Sequence, residues 1–382
     1  VVAVVGFKLM LLLKEKSRPM NHLMIGAFIS GLFLVGCGQS PSHSETKYAI
    51  YPGERTVGGP IGRIELIKNG FTSNFSKVPV CVEVTSQPIT TEEFLLETKL
   101  AHAMWLNSAG YNERDFDLFE FSTKTKCSKT DLQAGTVVAI ADFANEASGD
   151  NFKTRFKQPR IKCEVNGTSK RCTGTTTTLG WGGPGGITRY TFPSTPNKWV
   201  RVENSAPSTV LMSPFYEWHS LRESIAQDKN LNATNRSNLR NSLEALSSSR
   251  NPRFVDLVKF GNELTASRVL TIPDPVFPAK AQAFYSSGKA SIDDEISPKL
   301  SVFNTLLHEV GHTFGLHHAD NPAAEAITGP SSSTTWDEAR KQFITSKSVM
   351  AYSDSFAYLT DDDVKGVQAS AAESKKTVAS HK

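Results

Sequence analysis

Between positions 308 and 318 the chain reads His308-Glu309-Val310-Gly311-His312-Thr313-Phe314-Gly315-Leu316-His317-His318. Residues four apart share one face of a helix, so His308 and His312 can aim both imidazoles at one metal ion. Glu309 follows the first of them and projects beside that ion rather than onto it, where its carboxylate can take a proton from a water activated there. Gly315 can adopt the left-handed conformation that ends a helix and turns the chain. The turn returns His318 as a third ligand. Three neutral nitrogen ligands leave the fourth position of a tetrahedral zinc ion open, the arrangement of a catalytic rather than a closed structural site. His317 lies next to the third ligand. Spacing from Gly315 favours His318 and leaves His317 as a surface or supporting histidine. The chemistry such a set could perform is metal-assisted hydrolysis.

These residues need elements to hold them. Phe303, Leu306, Leu307, Val310 and Phe314 make the carrier a largely apolar helix, as expected of one running through the centre of a domain, with Pro298 in its first turn. Residues 290–295 read as a short strand leading into it. Further on, Thr360 fits an N-cap, and Asp361, Asp362 and Asp363 suit a helix N-terminus, with Val364 and Val367 facing the core. Toward the start of the chain, residues 78–84 alternate like a strand. A helix then starts at Thr90 or Thr91 and runs through Phe94, Leu95, Leu100, Met104 and Trp105, and residues 116–121 alternate again.

The extended histidine motif resembles the metzincin clan of zinc endopeptidases. The clan carries a methionine turn beneath its zinc, and Ser348-Val349-Met350-Ala351-Tyr352 is similar to it. The resemblance implies that Met350 forms an apolar floor under the imidazoles without ligating the metal, a role that suits a soft thioether. It also implies that Tyr352 sits near the zinc and donates a hydrogen bond to the oxyanion formed during peptide attack. In matrixins, aspartates of the closing helix tie down the methionine turn, and Asp362 and Asp363 occupy the corresponding positions. Asp293, Asp294 and Glu295 resemble the acidic run that matrixins place before the zinc helix, where carboxylates bind structural calcium. Residues 183–193 look like the glycine-led edge strand that pairs with extended substrate, with residues 281–285 competing for that role. Ala319, after the third histidine, matches none of the large branches of the clan, and a cysteine-switch propeptide motif is missing. The implied fold is α+β, a metzincin-like zincin: a twisted mixed β-sheet, a central zinc-binding helix and an irregular lower subdomain.

The leader speaks for export. Lys14, Lys16 and Arg18 precede an apolar run, residues 23–36, too short to span a bilayer comfortably. It ends Leu34-Val35-Gly36-Cys37, which looks like a bacterial lipobox and implies acylation of Cys37. The chain opens on Val1, and Met10 would be a sensible start. Residues 1–37 therefore read as a signal peptide with lipobox, and 38–48 as a flexible, serine-rich tether. Gly38 at the position after the cysteine points to the outer membrane in a diderm cell, and lipid chains give firm anchoring. Four basic residues and one acidic residue precede Cys37, so the formal charge of +4 falls to about +1 without the leader. That leaves no basic patch for nucleic acid. Four cysteines remain, an even count that suggests two disulfides in an exported chain. Cys163 and Cys172 bracket Asn166-Gly167, a good hairpin turn. Pairing them leaves Cys81 with Cys127, although four cysteines allow three connectivities.

Residues 49–370 read as one catalytic domain with a large insertion near 152–278, and 371–382 as a polar tail. Within the insertion, residues 180–186 read as a glycine-rich loop and 235–246 as a helix. Residues 254–260 and 268–272 read as strands or short helices. A segment between Lys47 and Lys77 could cover the cleft through an acidic residue such as Glu54 or Glu65. The functional expectation is a zinc-dependent endopeptidase acting on extracellular or envelope proteins, with Glu309 as general base and a protein or peptide substrate. The alternative is a non-catalytic zinc-containing surface lipoprotein that binds a partner.

Overall fold

The computed structural model describes residues 50, 58–70, 76–83, 87–128, 131, 135–140, 156–175, 178–184, 186–191, 201–206, 208–269, 276–318, 348–350 and 356–380. The fold is mixed α and β, with a mixed sheet and several helices around one continuous core.

Helix α1 (Pro60–Lys68) opens the described chain and buries Ile61 and Ile64. Strand β1 (Val78–Glu83) follows, then the long helix α2 (Thr91–Ser108). Thr90 caps α2 with a reciprocal capping box to Glu93, which satisfies two of the orphan donors at a helix start. The single turn α3 (Glu113–Phe116) precedes β2 (Phe119–Lys124), and β3 (Thr136–Ile140) completes the first half of the sheet. A hairpin, β4 (Arg160–Asn166) and β5 (Ser169–Thr175), turns at Gly167, whose φ of 61° is one that favours glycine. Next come β6 (Gly180–Gly183), a second hairpin of β7 (Gly186–Thr191) and β8 (Arg201–Ala206), then β9 (Ser208–Met212) and β10 (Glu217–His219). Four helices follow: α4 (Leu221–Gln227), α5 (Ala233–Ser248), α6 (Phe254–Ser267) and α7 (Val276–Ser286). Two short strands, β11 (Ser291–Glu295) and β12 (Lys299–Ser301), lead directly into α8 (Val302–Thr313), and α9 (Asp361–Ala379) closes the chain.

The main sheet has the order β2-β1-β3-β9-β6. Four strands run parallel, and only the edge strand β6 runs against its neighbour β9. Side chains alternate across it. Val78, Val80, Val82, Val138, Val210 and Met212 face the main core with α2 and α8. Cys81, Val137, Ala139 and Leu211 face a second cluster with Phe156 and Trp181. The Cys81–Cys127 disulfide closes that second face. The Cys163–Cys172 disulfide joins residues directly opposite in the β4–β5 hairpin. Both pairings match those expected.

Several expectations need correction. The glycine-rich stretch from 180 is a strand of the main sheet, not a loop. The span 152–278 is not an insertion as a whole, because β6 and β9 belong to the central sheet. Residues 186–191 pair with β8 in a separate two-stranded sheet, and 281–285 lie in helix α7. Residues 254–260 take the helical of their two readings, in the longer helix α6, which packs its Gly261 against Met104 of α2. The polar tail is also helical. α9 continues to Ala379, burying Ser370, Ala371, Ser374 and Val378 against the fold. Pro298 precedes β12 and is not in the helix that carries His308 and His312. Finally, β11 forms a three-stranded sheet with β4 and β5. There Asp293 pairs with Arg160 at 2.9 Å and Lys162 at 3.3 Å, Glu295 with Arg160 at 3.0 Å, and Asp294 with Lys280 at 2.6 Å. Those carboxylates are already neutralised by side chains and do not converge as a calcium site.

One buried carboxyl makes the stability of this fold pH-dependent. Glu97 of α2 is 2% exposed; its Oε1 accepts from the Leu221 amide at 2.7 Å, and Oε2 has no partner among the described residues. Burial pushes its pKa well above the usual carboxylate range, outweighing the opposing pull of the Leu221 amide. The folded protein thus holds a proton that the unfolded chain releases above about pH 4.3. Glu97's contribution is fully present below that pH and is lost as pH rises through the raised folded value. Glu97→Gln keeps an oxygen for Leu221 and removes the ionisation. We expect the variant to melt above the wild type at about pH 8, with the gap closing near pH 4. Parallel melting curves across that range would rule this out.

Candidate metal centre

Helix α8 is buried on nearly every side, Asn304 being the one residue between Val302 and Thr313 that is partly exposed. Its apolar residues Phe303, Leu306, Leu307 and Val310 are 0% exposed, each worth roughly 1.5–3 kcal/mol on burial. The helix ends in a Schellman-type turn. Gly315 takes φ 93°, the Gly315 amide donates to the His312 carbonyl at 3.1 Å, and the Leu316 amide donates to the Gly311 carbonyl at 3.2 Å. That turn swings His318 back over the helix.

Three imidazoles meet there, with His308, His312 and His318 at 8%, 0% and 0% exposure. His308 Nε2 lies 3.1 Å from His318 Nε2, and His312 Nε2 lies 3.2 Å from it. The other ring nitrogens of His308 and His312 are engaged elsewhere. His308 Nδ1 donates to the Val349 carbonyl at 2.6 Å, and His312 Nδ1 to the Leu316 carbonyl at 2.7 Å. Those bonds fix the tautomer and point both Nε2 lone pairs at the common centre. A proton on His318 Nε2 could serve only one of its two neighbours. A cation satisfies all three. Nitrogens about 2.0–2.1 Å from a tetrahedral ion stand about 3.4 Å apart, close to the spacing observed. Desolvation lowers the pKa of His308 to about 4, and it lowers those of His312 and His318 well below the ordinary histidine value, reinforced by the neighbouring histidines. All three therefore stay neutral and able to ligate at neutral pH. Among the described residues, this is the group of three that could hold a metal ion.

Glu309 is 1% exposed, and its Oε2 has no hydrogen-bond partner among the described residues. Burial pushes its pKa well above the usual carboxylate range. That is the direction required of a group that must both accept and return a proton near neutral pH. β6 lies directly on it.

The supports come from distant parts of the chain. Asp363, at N3 of α9, accepts from the Ser348 hydroxyl, from the Val349 amide at 3.0 Å and from the Thr360 amide at 2.8 Å. The turn so fixed presents the Val349 carbonyl to His308. Burial raises the Asp363 pKa in spite of these donors. Met350 is 2% exposed and packs its sulfur against Gly311, on which Trp105 also lies. Trp105 Nε1 in turn donates to the Leu307 carbonyl at 2.8 Å. Ser370 of α9 donates to the Phe314 carbonyl at 2.7 Å.

The structure thus brings together His308, His312, His318, Glu309, Met350 and Asp363. Tyr352 and Cys37 lie outside the described residues, as do 319–347. Glu65 is not at the centre. It accepts from the Tyr111 hydroxyl at 2.8 Å, and Glu54 lies outside the described residues. Sequence reasoning missed Gly180, Gly182, Gly311, Trp105 and Ser370. The alternation of glycines in Gly180-Trp181-Gly182 was the available signal, since glycine inside a strand marks close approach of another backbone. Comparison of the chain with protein-family models, curated proteins and solved structures gives no match.

We expect the purified protein to bind one divalent ion per chain, and loss of any one of His308, His312 or His318 to alanine to abolish it. Asp363→Asn should weaken metal affinity by about 10–100-fold without removing a ligand. Metal content by mass spectrometry and competition with a chromogenic chelator decide both. Unchanged affinity in Asp363→Asn would show that the aspartate does not act through His308.

Proposed function

We propose that the chain is a zinc-dependent endopeptidase of the metzincin kind, exported and held at the bacterial cell envelope by a lipid on Cys37. The convergence of three buried imidazole nitrogens, with Glu309 on the residue after the first and its Oε2 without a partner among the described residues, carries this reading. A structural site would close the coordination with a fourth protein ligand and has no use for a neighbouring base. Zinc bound by these nitrogens supplies a Lewis acid for a carbonyl and a lowered pKa for water. Glu309 accepts the proton of the attacking water on its carboxylate and returns it to the leaving amine nitrogen. The edge strand β6, packed on α8, is the surface along which an extended peptide would pair. Met350 and Asp363 hold the floor beneath the histidines. Two disulfides fit an oxidising compartment, and among the described residues no helix is long and apolar enough to cross a membrane.

The test uses the chain from Gly38 onward, wild type and Glu309→Ala, with a diverse peptide mixture. We expect one zinc in both proteins, chelator-sensitive cleavage by the wild type, and a loss of about 10²–10⁴-fold in kcat in the variant. Equal cleavage by both would dispose of Glu309 as the base. Zinc in both with cleavage by neither would favour a metal-containing binding protein.

A further inference from the structure

We propose that Gly180 and Gly182 of β6 are positioning residues for Glu309, Gly180 acting on its carboxylate and Gly182 on its backbone. The consequence for turnover rests on the endopeptidase reading, but the structural claim does not. A Cβ at Gly180 would stand 2.7 Å from both Cγ and Cδ of Glu309, and nearer still to Oε1. One at Gly182 would stand 2.8 Å from Oε2 and 2.9 Å from Cα of Glu309, and nearer still to its carbonyl oxygen. No packed side chain tolerates such approaches without moving its neighbour.

Conformation does not explain these glycines. The glycines with positive φ are Gly70, Gly110, Gly167 and Gly315 among the described residues, so both positions in β6 have backbone that any residue can adopt. Gly183, next in the strand, has nothing within 4 Å of a would-be Cβ, so the neighbourhood is not uniformly tight. Register shows what the space is for. Gly180 pairs with Met212 and Gly182 with Val210, and on β9 those positions carry fully buried side chains that fill the sheet's inner face. On β6 the same face carries no side chain at all, and the Glu309 side chain occupies that volume. Because the three atoms nearest a Cβ at Gly180 all belong to the Glu309 side chain, a methyl there presses first on the carboxylate rather than on the helix backbone. At Gly182 the nearest atom belongs to the helix itself.

This difference yields a test independent of turnover. Glu309→Ala removes the three atoms nearest a methyl at 180, but it leaves the carbonyl oxygen and Cα that a methyl at 182 would meet. In metal-loaded protein we expect Gly180→Ala to lower the melting temperature in the wild-type background and to have little effect in Glu309→Ala. Gly182→Ala should destabilise both backgrounds. Such background dependence is the signature of direct contact. Gly180→Ala should keep one metal per chain while losing about 10²-fold in kcat with KM little changed, as expected of a misplaced reacting group. Equal destabilisation by Gly180→Ala in the two backgrounds, or full kcat in that variant, would overturn the proposal. If Gly180→Ala fails to fold, recovery of folding in Gly180→Ala/Glu309→Ala supports it and continued failure refutes it. If the wild type cleaves no peptide, the endopeptidase reading falls, and the melting comparison still decides the role of the glycines.

Discussion

His318 Nε2 lies 3.1 Å from His308 Nε2 and 3.2 Å from His312 Nε2 among buried side chains, a repulsive arrangement for neutral imidazoles and a worse one for protonated ones. His308 and His312 direct lone pairs at the point where His318 also arrives, because their opposite nitrogens are committed to the carbonyls of Val349 and Leu316. Each carbonyl is fixed by something further out. Leu316 is set by the Gly315 turn, which depends on a backbone conformation that only glycine adopts without strain. Val349 is set by Asp363, which lies at the first turn of the last helix. The imidazole orientation therefore depends on residues more than forty positions away, and the supports of the ligands matter as much as the ligands.

That dependence explains why the C-terminal helix is integral to the domain. Asp363 and Ser370, two turns apart on α9, grip the turn under the site and the carbonyl at the end of α8 respectively. Between them they fix both the floor and the exit of the metal-bearing helix. From the other side α2 holds the same helix with the Trp105 hydrogen bond. Glycine recurs wherever two of these pieces meet α8: Gly311 receives Met350 and Trp105, and Gly180 and Gly182 receive Glu309. A helix carrying side chains in all directions can be buried this completely only if some contacts are made by backbone alone.

The legibility of this arrangement in sequence follows from the range of the interactions. The histidine motif is short-range geometry: a four-residue step on a helix, a glycine turn and a third ligand. The start of a helix near Thr90 and the Cys163–Cys172 hairpin are equally local, and all three could be read directly. β6 could not, because a strand composed of glycines and one tryptophan lacks the β-branched alternation that marks strands, and its glycines answer to a helix more than a hundred residues away. The end of α9 failed for a related reason. Apart from Val378, its buried positions are Ser370, Ala371 and Ser374, small or polar residues suited to close approach rather than hydrophobic mass. The acidic run at 293–295 was legible as charge, but its partners Arg160, Lys162 and Lys280 come from other elements. The pairing that neutralises it is tertiary information.

Electrostatics joins stability to function at this centre. Glu309 and the three histidines are each buried with a shift that disfavours charge: upward for the carboxyl, downward for the imidazoles. Both shifts arise from desolvation, and both describe unfavourable burial that the surrounding hydrophobic packing must offset. A dication is the one species that relieves both kinds at once, because it accepts lone pairs from neutral imidazoles and is opposite in sign to an ionised carboxylate. Binding it should therefore stabilise the folded chain by linkage, in proportion to its affinity for a site the unfolded chain does not possess. The features that make the centre costly in isolation, burial, close nitrogens and a carboxylate whose Oε2 has no partner among the described residues, are those that favour a bound dication. A hydrogen-bond donor for Glu309 Oε2 would remove part of that cost and, with it, part of what a dication relieves.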